Sequence, residues 1–126
     1  MASRSERPRF LDLTRISYPV GAVCSFGHRL SGVALAVATP LLAVLFARSL
    51  EGAEGYAEAV AWLAPLPARV ALVLVVWAMA HHLLAGVRHL LMDIGVGSRL
   101  GAARASAWIV NLAAVAIAAL ALGSLR

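Results

Sequence analysis

Three histidines fall within one apolar stretch, Leu72–Met92: His81, His82 and His89. Ionisable side chains are rare in such stretches because burying them in hydrocarbon is costly, so those that occur there have a function by default. If the stretch is helical, His82 and His89 lie on one face, about two turns or roughly 10 Å apart. Gly86 falls on that face between them, where the missing side chain leaves room for a flat group. Arg88 and Asp93 close the segment. An imidazole beside a space for a planar group, with cations near the end, points to a bound cofactor, and haem is the first candidate.

Composition decides what kind of element carries these residues. The chain has 126 residues, is 62% hydrophobic and only 13% charged, and has a mean hydropathy of +0.87. A soluble domain carries about 25% charged residues. The apolar residues come in long runs, which predicts an integral, all-α membrane protein. Three spans are predicted, roughly 23–50, 68–92 and 103–125, each long enough to cross about 30 Å of hydrocarbon. Residues 1–22 form an arm ahead of them, and the whole chain reads as a single membrane-anchor domain. Pro40 lies inside the first span, where a membrane helix tolerates it with a kink. The third span is rich in small residues suited to close helix packing, with Asn111 well inside it. Glu51–Pro67 reads as an acidic linker and Ile94–Ala102 as a short Gly-rich one.

The formal charge of +5 comes entirely from arginine. Aromatic residues are sparse and the basic ones scattered, which argues against nucleic acid as a partner. A single cysteine, Cys24, excludes an internal disulfide and a multi-cysteine metal site. Arg4, Arg7, Arg9 and Arg15 lie in the arm, and Arg88, Arg99 and Arg104 lie around the second linker. The positive-inside rule then puts the N-terminus and the second linker in the cytoplasm. The arm is not a cleavable signal peptide, since no apolar segment follows its charges closely.

This topology groups the polar residues. His28 and Arg29 open the first span at the end where Arg88, His89 and Asp93 close the second, and His82 lies deeper. A haem standing upright in the bilayer fits the layout, with His82 as an axial ligand and the shallower cations at the propionates. Axial ligands approach a haem from opposite faces, so His82 and His89 cannot both bind one iron. His28 is too shallow to be an easy second ligand. A bis-histidine site therefore needs a partner chain, and the other option is an open axial position.

Each of these residues also has a plainer use. His82 would serve as a helix–helix hydrogen bonder, and His81, about 100° away around the helix, as a packing residue. His89 and Arg88 would serve as interfacial anchors, and Arg29 would snorkel to lipid phosphates. Ser25 would back-bond to its own helix, and Cys24 would be an ordinary buried thiol.

Several blocks occur in order along the chain: Arg7-Pro8, Leu11-Asp12-Leu13, Tyr18-Pro19, Ser25-x-x-His28-Arg29-x-Ser31-Gly32 and His82-x-x-x-Gly86-x-Arg88-His89-x-x-Met92-Asp93. Together they resemble the cytochrome b large membrane-anchor subunit of bacterial succinate dehydrogenase (succinate:quinone oxidoreductase, complex II). The resemblance covers most of the chain, and the second-helix histidine motif is its most specific part. It implies that His82 is an axial ligand of haem b, and that His28 and Arg29 lie near the propionates and the quinone site, with His89 also near the propionates. Ser25 is implied to line the quinone pocket with Arg29. The adjacent His81 departs from the pattern and leaves the ligand open by one position, with the spacing to Gly86 and His89 favouring His82.

The resemblance further implies a heteromeric helix bundle in the bacterial inner membrane. A small anchor subunit would supply the other haem ligand, and iron–sulfur and flavoprotein subunits would dock on the cytoplasmic face. Electrons from succinate would reach ubiquinone or a related quinone. With no flavin motif and no cysteine cluster, this chain would not oxidise succinate alone. A fumarate reductase anchor is the alternative within the same class. A structural or proton-relaying helix bundle without haem is the alternative outside it.

Overall fold

The computed structural model describes residues 17–124, all of whose regular structure is helical. The arm residues Arg4, Arg7, Arg9 and Arg15 and the Arg7-Pro8 and Leu11-Asp12-Leu13 blocks lie outside the described residues. Four helices follow in order: α1 Val20–Ser49, α2 Ala53–Leu63, α3 Leu66–Asp93 and α4 Leu100–Ser124.

Proline and glycine mark the ends. Pro19, with φ fixed at −65°, stands just before α1, and its carbonyl accepts from the amides of Ala22 and Val23. Gly52 at φ +103° separates α1 from α2. Pro65 stands just before α3 and Pro67 sits in its first turn, where the missing N–H is no loss. Gly95 and Gly97, at φ +84° and +73°, make the turn into α4 in a region that side chains disfavour. α1 runs through Pro40 without a break.

α1, α3 and α4 are long and apolar enough to cross a membrane. At 30, 28 and 25 residues they measure about 45, 42 and 37 Å. Their ends fall within three residues of the expected spans. The stretch Glu51–Pro67 is more than a linker, because it contains α2. This short helix lies against the far end of α1, where Arg48 pairs with Glu51 and Glu58. Gly55 and Ala59, four residues apart, form its buried stripe, while Tyr56 and Trp62 are exposed.

The three spans run up, down and up, so the start of α1, the end of α3 and the start of α4 share one end of the bundle. The core consists mainly of small residues at helical spacing: Cys24 and Ser31 on α1, Ala78, His81 and Ala85 on α3, and Ala107, Val110 and Ala114 on α4. Small side chains let helix backbones approach closely, and dispersion contacts then supply the association that a hydrophobic effect cannot supply in lipid. The outer faces are apolar and exposed, with Phe26, Leu30, Val33 and Val37 on α1 and Ile109 and Leu112 on α4.

Candidate functional site

α1 and α3 bring His28, His82 and His89 together. The imidazoles of His28 and His82 stack with centroids 4.2 Å apart and planes 11° from parallel. His28 also meets His89 at 5.2 Å in a tilted arrangement. His28 is thus the middle ring of the three. Its Nε2 is 3.5 Å from where a Cβ on Gly86 would lie. In the structure the His28 imidazole lies over Gly86. His28 lies eight residues into α1, about 12 Å from its start, and His82 eleven residues from the end of α3, about 16 Å in. Because α1 begins at Val20, three residues earlier than expected, His28 lies nearer the depth of His82 than the sequence suggested.

The hydrogen bonds of His82 fix its tautomer. Its Nδ1 lies 3.1 Å from the backbone carbonyl of His28 and 3.3 Å from Oγ of Ser31. A carbonyl only accepts, so Nδ1 carries the proton, and in the neutral ring Nε2 then holds the lone pair. Nε2 takes no hydrogen bond among the described residues. Metal-binding histidines are usually held this way, with one ring nitrogen donating to a fixed oxygen and the other presented to the metal.

His81 differs in each respect. It is 2% exposed, its Nε2 is 3.0 Å from Oδ1 of Asn111 on α4, and Trp77 packs on it at 5.3 Å. The ring also fills the space above Gly27, where a Cβ would come within 2.7 Å of Cε1. His81 is enclosed between α1 and α4, and its buried Nδ1 has no hydrogen-bond partner among the described residues. The sequence showed Asn111 as polar inside a span but gave no partner for it.

Arg88 turns away from the histidines. Its Nε donates to Oγ of Ser106 and its Nη2 to the carbonyl of Ala103, each at 3.0 Å, tying α3 to α4. Ser25 and Arg29 lie on α1 about 100° or more around the helix from buried Cys24. Ser25 is half-buried and Arg29 exposed, and neither side chain hydrogen bonds to a described residue. Ser25 does not back-bond to its own helix, although Ser31, Thr39 and Ser49 do. Among the described residues, both therefore present unused donors on an open flank of α1.

Comparison with known proteins supplies a relationship. Residues 3–122 match the family described as "Succinate dehydrogenase/Fumarate reductase transmembrane subunit". The chain is 34% identical over 112 residues to the succinate dehydrogenase cytochrome b556 subunit of Coxiella burnetii, covering 84% of this chain and 86% of that one. It is 31% identical over 111 residues to the succinate dehydrogenase cytochrome b556 subunit of Rickettsia bellii, covering 88% and 86%.

Proposed function

The chain belongs to the succinate dehydrogenase/fumarate reductase transmembrane subunit family, as a cytochrome b membrane subunit of succinate dehydrogenase, and from that premise we propose how its residues work. His82 would hold the iron of haem b through Nε2. The observation that carries this reading is the bond from Nδ1–H of His82 to the His28 carbonyl, which holds the ring and frees Nε2. Haem b, when bound, supplies a one-electron redox centre within the membrane. His28, Arg29 and His89 lie near its propionates, where cationic and N–H donors meet carboxylates.

Ser25 and Arg29 bind the quinone. Reduction develops negative charge on the quinone oxygens, and a fixed hydroxyl and guanidinium in a low-dielectric site stabilise it. No described residue covers their flank on α1, and a partner chain would close the pocket there. The partners are a small anchor subunit, which brings the second iron ligand, and iron–sulfur and flavoprotein subunits on the arginine-rich, cytoplasmic side of the inner membrane. The named relatives are succinate dehydrogenase subunits, which favours succinate oxidation over fumarate reduction.

The test is the optical spectrum of the purified complex. His82→Ala is expected to abolish or strongly perturb the reduced haem b band, because alanine has no donor for iron. His81→Ala is expected to keep it. The reverse outcome would move the ligand to His81, and no haem band in the unaltered complex would overturn the reading.

A further inference from the structure

Ser31 is completely buried, and no role has so far been assigned to it beyond packing. It lies one turn beyond His28 on α1 and faces α3. Its Oγ donates to the His28 carbonyl at 2.9 Å. A serine hydroxyl has one proton, so its lone pairs face Nδ1 of His82, 3.3 Å away. Nδ1–H therefore has two acceptors, the carbonyl and the hydroxyl, and these two acceptors are themselves joined by a hydrogen bond. The ring is also confined sideways: a Cβ on Gly32 would come within 3.0 Å of Cε1 of His82. One segment of α1, His28 to Gly32, thus supplies both the polar and the steric seat of this imidazole.

We propose that Ser31 is a positioning residue for His82: as a second acceptor beside the His28 carbonyl, its hydroxyl holds the orientation of the ring and raises the electron density at Nε2. The proposal rests on His82 being the iron ligand. An acceptor on Nδ1–H makes an imidazole a stronger donor at its other nitrogen, and a stronger donor favours ferric over ferrous iron. Because the hydroxyl is fully buried, water does not replace it when it is removed.

The experiment uses the complete complex, with Ser31→Ala, Ser31→Cys and His82→Ala, each measured by optical redox titration and by haem loss to an apo-haemoprotein scavenger. Ser31→Ala is expected to keep its haem, shift the midpoint potential to more positive values, and lose haem about ten-fold faster, the lower end of what removing such a supporting partner does. Ser31→Cys, close in size with a weaker hydrogen-bonding group, is expected to fall between. A purely structural role would weaken assembly without moving the potential of the haem that remains. If Ser31→Ala fails to assemble, Ser31→Cys is read against the unaltered complex in the same way. An unchanged potential and haem-loss rate in the Ser31 variants, with haem lost in His82→Ala, would overturn the proposal and leave the ligand in place. Haem retained unchanged in His82→Ala would overturn both.

Discussion

The two glycines on α1 that face imidazoles do different jobs. At Gly27 the His81 ring is so near that an added Cβ would fall 2.7–2.8 Å from two of its atoms. Gly27→Ala must push that ring off Asn111. Overpacking of this kind costs about 1–3 kcal/mol. A lower thermal midpoint of the assembled complex, with the haem band unmoved in the folded fraction, is the expected result. The neighbouring donors Ser25 and Arg29 call for a functional assay, since neither is tied to a described residue. Arg29→Leu is expected to lower quinone reduction on the order of 10²-fold, the scale for deleting one donor from a charge-stabilising site. Ser25→Ala is expected to lower it less and to leave the haem in place. Succinate oxidation with an artificial acceptor that bypasses quinone should persist in both. Unchanged quinone reduction would put the pocket elsewhere and leave these residues as interfacial anchors of α1.

Among the elements, α3 holds the bundle together because the three spans all touch one another and its contacts with α1 and α4 are the most extensive. Its bond to α4 has two polar fastenings, His81 to Asn111 and Arg88 to Ser106 and Ala103. Arg88→Leu removes two charge-assisted donors from a half-buried position, and a loss of about 1–3 kcal/mol is expected. The measurement is the thermal midpoint of the complex. A normal midpoint with a perturbed haem spectrum would instead show Arg88 serving the cofactor. The spans were legible in the sequence because length and hydropathy are sufficient for them. α2 was not, since Glu51, Glu54 and Glu58 dominate its neighbourhood and its apolar stripe is only Gly55 and Ala59. At the site, spacing correctly set His82 and His81 on different faces. It had no means of showing that His28 takes the space over Gly86, because that depends on where α1 starts and how it is rotated.

For the molecule as a whole, the balance of polar and apolar surface implies a larger assembly. The spans bury small residues inward and leave long apolar faces outward. Lipid satisfies such faces, but the proposed quinone pocket at Ser25 and Arg29 and the proposed second iron ligand both call on a partner chain. Expressed alone, the chain is expected to be unstable or haem-poor, and co-expression with the small anchor and iron–sulfur subunits is expected to restore it. Full low-spin haem incorporation by the isolated chain would refute the need for a partner ligand.

The acceptor of His82 belongs to the backbone of a different helix, so this ring reports the position of α1 while moving with α3. Its 3.1 Å bond is near the long end, about 3.2 Å, of good N–H···O geometry. A slide of one helix past the other by a single residue rise, about 1.5 Å, exceeds that slack, and the ring must swivel to follow. The contact is therefore a lever that converts axial strain between two spans into rotation at one nitrogen atom. A span longer than the hydrocarbon is thick is accommodated partly by tilting or kinking. Any mismatch that slid α1 past α3 would accordingly re-aim Nε2 of His82, the nitrogen proposed to hold the iron.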